Sequence, residues 1–321
     1  MFVAIDWSGR RGADQRRALW LGTACEGALV RLEGGRTRAE LVDLLIAAAD
    51  RDPDLVVGLD FAFSLPAWYL REHRRAPRQL WSALADEALT PAMRHAGLAA
   101  WMNRPEPPFW TTAAGHAALG DREPFRRTEL DVRAPGVQPK SVFQLVGAGQ
   151  VGRGSLYGMQ ALHRLAAAGF SVWPFDPPAR PLVVEIFPRL LTRAVVKSSQ
   201  AARARYLADV ALPPALHAHA EASEDAFDAA ISALGDGARV RPARRGARLR
   251  AGRKDLDPDS GHSQLATRWR TVTVRPPRSL ITILTAEVPA GIRTRAWPWP
   301  WCMRASTRRP AVTFALRSSR R

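Results

Sequence analysis

Five carboxylates stand where a soluble chain seldom puts them without a reason. Asp6 closes the apolar run FVAID, Asp60 closes LVVGLD, and Glu185 lies inside LVVEIF. Asp225 and Asp228 are three residues apart in SEDAFDAAISAL, a spacing that puts both on one face of a helix. A carboxylate at the end of a buried strand loses hydration unless a cation or hydrogen-bond donors meet it. Carboxylates that converge repel, so they share protons or bind cations. Cys25 and Cys302 are the only cysteines, which excludes a disulfide framework and a cysteine zinc site. His217 and His219 are two apart, a separation that a helix points in different directions. Any metal here is therefore expected on oxygen, which suits Mg²⁺ or Mn²⁺. Two such ions about 3.5–4 Å apart serve displacement at a phosphodiester, one activating water and the other steadying the leaving oxygen. On this reading Asp6, Asp60, Glu185 and Asp228 are the metal ligands, Asp225 is a fifth candidate, and Lys140 adds a phosphate contact or polarises a reacting group.

The elements that must carry these groups follow from the pattern. Residues 2–6, 18–24 and 28–33 read as strands joined by short turns, which favours an antiparallel meander. RAELVDLLIAAADR, residues 38–51, has helical spacing, with Thr37 as N-cap and Pro53 beyond its end. LVVGLD, residues 55–60, is a continuous apolar run of the kind found in a strand covered on both faces. From residue 66 to 139 the chain is irregular and rich in Trp, Arg and Pro, with helices expected near 77–87 and 91–102, and it reads as a cap-like insertion. Its tryptophans, Trp68, Trp81, Trp101 and Trp110, fit either a base-stacking surface or the small core of a cap. Order resumes with SVFQLV, a helix near 156–168, strands at 170–173 and 182–189, and a last helix at 223–234.

GAGQVG, residues 147–152, fits a dinucleotide loop, with Asp176 at the distance of a ribose contact. It is not in a first βαβ unit, Arg153 and Gly154 delay the helix start, and two prolines follow Asp176. The cofactor reading is therefore set aside, and the loop could instead present backbone amides to a substrate phosphate.

The chain has 321 residues, 46% of them hydrophobic, and a formal charge of +17. Residues 237–321 hold 20 Lys and Arg against 4 Asp and Glu, so residues 1–236, with 27 basic and 26 acidic groups, are nearly neutral. No stretch reaches the roughly 18 apolar residues of a membrane span, and Asp6 interrupts any secretory h-region, so a cytoplasmic location is expected. The basic, Arg/Pro/Trp-rich tail at 237–321 is expected to lack a packed core of its own, either as a nucleic-acid-binding arm or as the product of a reading-frame shift in a GC-rich gene.

FVAIDWSG, VVGLDFAFSLP, KSVFQLVGAGQVGRGSLYGM, VVEIFPR and EDAFDAAISAL resemble, in that order, the family of predicted nucleases called domain of unknown function 429. The resemblance covers about residues 1–235. It implies a ribonuclease H-like α/β fold: a mixed five-stranded sheet with an antiparallel first three strands, helices on both faces, and an acidic site at the strand ends. Asp225 and Asp228 are also similar to the final-helix pair of Holliday-junction resolvases. The implied activity is metal-dependent hydrolysis of nucleic-acid phosphodiesters, DNA or RNA; the alternative is a non-catalytic nucleic-acid-binding or scaffold protein of the same fold.

Overall fold

A computed structural model describes residues 1–239, apart from 133, 135, 148 and 149, and two further strands, Arg270–Val274 and Ile281–Thr285. The chain forms two compact units, Met1–Arg248 and Leu249–Arg321. In the first unit β1 (Phe2–Asp6), β2 (Trp20–Cys25), β3 (Ala28–Glu33), β4 (Val56–Leu59), β5 (Ser171–Val172) and β6 (Leu182–Glu185) form one mixed sheet in the order β3-β2-β1-β4-β6-β5. The meander β1–β3 is antiparallel, and β4, β6 and β5 continue the sheet in parallel with β1. The sheet therefore has six strands rather than five. The extra one is two residues long.

Six helices of eight residues or more lie among the described residues: α1 (Arg38–Arg51), α2 (Pro77–Ala85), α3 (Gly152–Ala167), α4 (Gln200–Leu207), α5 (Pro214–Ala222) and α6 (Glu224–Arg239). The expected cap of α1 is present as a reciprocal pair, in which Glu40 N donates to Thr37 Oγ1 and Thr37 N donates to Glu40 Oε2 at 2.8 Å. The helix expected over 91–102 is broken at Gly97, whose φ of +78° leaves helical geometry. SVFQLV makes no strand; its isolated β-bridge, Trp110 to Gln144, is parallel.

Strand alternation divides the core between the two faces of the sheet. Val3, Ile5, Val57, Leu59 and Val183 pack with α1 and α3 on one face; Phe2, Ala4, Val56, Leu182 and Ile186 pack with Phe227, Ala230 and Ile231 of α6 on the other. α6 lies close on the sheet because Gly22 of β2 has no side chain. A Cβ there would stand 2.5 Å from the Ala229 carbonyl oxygen.

The insertion is not a separate cap. Trp81, Trp101 and Trp110 are buried, and they belong to the same core as the α1/α3 face of the sheet. In the second unit Arg270–Val274 pairs antiparallel with Ile281–Thr285, so a strand pattern resumes where none was expected. The rest of the tail lies outside the described residues. α6 runs to Arg239, past the boundary expected at 236.

Candidate functional site

Asp6 and Asp60 reach the same place by parity. Asp6 follows Phe2 and Ala4 at alternate positions, Asp60 follows Val56 and Gly58, and both rows face α6. Asp225 and Asp228, in the first turns of α6, meet them from above. Asp60 and Asp225 each stand close enough to Asp6 for the carboxyls to share a proton. Four of the five predicted carboxylates thus converge at the ends of two adjacent parallel strands.

Their electrostatics carry the mark of that crowding. Burial, then the charges of Asp228, Asp60 and Asp225, hold the Asp6 carboxyl well above its ordinary range, against the pull of Lys197. Burial and Asp228 push Asp60 up to about 8, with Glu185 adding to the rise and Lys197 opposing it. Asp225 is raised by burial and by Glu224, opposed by Lys197 and Arg10. Asp228 is raised by burial, with Lys197 opposing and Asp225 adding. The cluster therefore holds protons that isolated carboxylates would have lost.

One cation is already there. Lys197 Nζ donates to Asp228 Oδ2 in a close ion pair. Burial alone would lower the lysine, yet Asp228, Asp6 and Asp60 together raise it. Its backbone is pinned by Arg203, a buried side chain that donates to the Lys197 and Glu221 carbonyls. Sequence reasoning passed over Lys197, and VVKSSQ carries no periodicity that would have singled it out.

Glu185 departs from the expectation. It shares the parity of Val183 rather than of Leu182 and Ile186, so its side chain leaves the sheet on the face opposite α6. There its oxygens accept from Phe63 N at 3.0 Å and from Arg126 Nη1 at 2.8 Å, with a second contact from Arg126 Nη2. Arg126 also pairs with Glu129. Glu185 is close enough to raise Asp60, but the structure gives it to an arginine rather than to the four aspartates. Lys140 is likewise placed elsewhere, exposed on a groove of the insertion.

The glycine motif has a packing role. Gly152 opens α3 against the chain at 142–144, where a Cβ would come within 2.4 Å of the Val142 carbonyl oxygen. The helix thus starts at Gly152, without the delay expected from Arg153 and Gly154. Asp176 is occupied by Arg78, at 2.7 and 2.9 Å, and by Val172 N.

Among the described residues no three His, Cys, Asp or Glu side chains stand in a ready-made metal-ligating arrangement. In the present arrangement protons and Lys197 meet the charge of the cluster. The donor set nonetheless fits a hard cation: it is all carboxylate oxygen, and Asp228 Oδ1 is buried without a hydrogen-bond partner. The fold and site define a mixed α/β protein with four carboxylates and a lysine at the end of its sheet. No protein-family model, curated protein or solved structure matches the chain. No helix among the described residues is long and apolar enough to cross a membrane.

Proposed function

We propose that the chain is a ribonuclease H-like, metal-dependent nuclease, acting in the cytoplasm on a nucleic-acid phosphodiester. The observation that carries this reading is the convergence of Asp6, Asp60, Asp225 and Asp228, with Asp228 Oδ1 buried and unpartnered. Asp6, Asp60 and Asp228 would hold Mg²⁺ or Mn²⁺, with Asp225 completing the set. The bound ions supply a polarised water and charge stabilisation at the leaving oxygen.

The chain's own groups do the rest. Lys197 holds Asp228 in place and offsets part of the charge that its neighbours accumulate. Arg38 fixes the loop that follows Asp6 by donating to the Ser8 and Arg10 carbonyls at 2.9 and 2.7 Å. Arg126 pairs with Glu185 and so joins the insertion to the end of β6.

The test is to incubate the full chain with end-labelled single strands, duplexes, hybrids and junctions, with and without Mn²⁺. Cleavage of at least one substrate that requires the metal supports the reading; none in any condition removes it. One observation favours the rival, a binding protein of the same fold: Lys197 already occupies the site as a cation and offsets part of its charge. A binder keeps its affinity for nucleic acid when Asp6 becomes Asn, with or without metal.

A further inference from the structure

A concavity among the described residues lies between the insertion and the segment that follows it, away from the four aspartates. It is an open groove of about 590 Å³ whose walls include Trp110, His116, Phe125, Glu129 and Lys140. That volume falls within the range of small-molecule sites. Its back wall is firmly built. Trp110 N donates to the Phe143 carbonyl at 3.0 Å, Leu145 N donates to the Trp110 carbonyl at 2.9 Å, and Ser141 Oγ donates to the Pro124 carbonyl at 2.7 Å. The Trp110 and His116 rings meet edge to face, with centroids 4.7 Å apart.

Two features of the lining suggest what it takes. His116 is exposed and Phe125 half-exposed, so aromatic surface is presented to an incoming group rather than consumed in the core. Lys140 stands exposed at the same groove, and no ion pair ties it down among the described residues. Accessible aromatic rings beside an exposed ammonium supply the chemistry that binds a base and its phosphate together.

The groove is also joined to the aspartate site. Glu129, on its wall, accepts from Arg126 Nε at 2.8 Å, and Arg126 Nη1 donates to Glu185 Oε2 at 2.8 Å. Glu185 in turn raises Asp60. Two ion pairs thus separate the groove from the strand end.

The geometry points to a nucleotide subsite: the groove holds one unpaired nucleotide of a single strand, its base against Phe125 and His116 and its phosphate on Lys140. This rests on the nuclease reading for the strand's presence at the neighbouring aspartates. The occupant is a nucleoside monophosphate unit, whether free or within a strand.

The experiment is calorimetric titration of the full chain in EDTA, in salt high enough to suppress binding by the basic segment 237–321. The probes are pentadeoxyadenylate, adenosine 5′-monophosphate and inorganic phosphate. Pentadeoxyadenylate is expected to bind one to one, and adenosine 5′-monophosphate to compete with it where inorganic phosphate does not. Phe125→Ala and Lys140→Ala are each expected to weaken the strand by about tenfold, from lost stacking and a lost charge-assisted hydrogen bond. Competition by phosphate as strong as by the nucleotide overturns the proposal, as does unchanged affinity in both variants. If the free nucleotide binds and the strand does not, the site belongs to a soluble nucleotide and the strand assignment is overturned. Cleavage with Mn²⁺ is scored separately: binding as expected without cleavage sinks the nuclease reading alone, and cleavage with unchanged binding in the variants sinks the subsite alone.

Discussion

Replacing Asp60 by Asn removes one charge from a crowded site while keeping the shape of the side chain. Burial and Asp228 push Asp60 from 3.8 to about 8. A carboxyl whose folded pKa lies above its unfolded value binds more protons folded than unfolded between the two values. Its ionisation thus leaves stability untouched below about pH 4 and lowers it steadily as pH rises to about 8. Titrating alone, such a group would cost about 6 kcal/mol at pH 8. Asp60 shares protons and charge with Asp6, Asp225, Asp228 and Lys197, in surroundings of effective dielectric about 20, which leaves about 2 kcal/mol to this one residue. At about 2–4 °C per kcal/mol for a domain of this size, Asp60→Asn should raise the melting temperature by about 4–8 °C at pH 8. At pH 4 it should change nothing. Thermal melts by circular dichroism in EDTA at a series of pH values measure both. A variant that melts no higher than the natural chain at pH 8 would refute the claim that Asp60 sits in uncompensated negative charge.

Lys197→Met should lower stability by about 3 kcal/mol at pH 8, because it strands the buried Asp228 carboxylate. The loss should shrink in acid as Asp228 takes up a proton; urea midpoints at the two pH values read it, and an equal loss at both contradicts it. Arg126→Ala leaves Glu185 and Glu129 without their guanidinium and should cost about 3 kcal/mol, a loss that Arg126→Lys recovers only in part. Guanidinium midpoints decide between them. A chain ending at Arg248, the end of the first compact unit, should remain folded and keep any nuclease activity. An insoluble or inactive product makes the segment beyond it part of the working protein.

Much of the fold was legible because its signals are local. The meander, the Thr37 cap and the run LVVGLD each follow from a few neighbouring residues. Asp6, Asp60, Asp225 and Asp228 were legible as a group for the same reason, since strand ends and helix faces can be read along the chain. Glu185 was misplaced although its parity was readable. Val183 and Glu185 alternate with Leu182 and Ile186, but an apolar run with both faces buried gives no contrast to say which face is which. Lys197 and Arg126 were illegible for another reason. Both lie in irregular segments, and their partners are 31 and 59 residues away in sequence. The insertion reads as a cap because it is a long irregular excursion inside a compact domain, whereas its buried tryptophans join the sheet's own core.

The claim that the four aspartates form a cation site is tested most directly by titrating the full chain with Mn²⁺ at pH 8 and following free metal by electron paramagnetic resonance. The carboxyls must lose their protons to bind, so uptake should be saturable and should weaken as pH falls below about 8, where Asp60 is protonated. Asp6→Asn and Asp228→Asn should each weaken it by at least about tenfold, while Glu185→Gln should matter less, because Arg126 already holds that side chain. Equal uptake by the natural chain and by both aspartate variants, or none at any pH, would contradict the account.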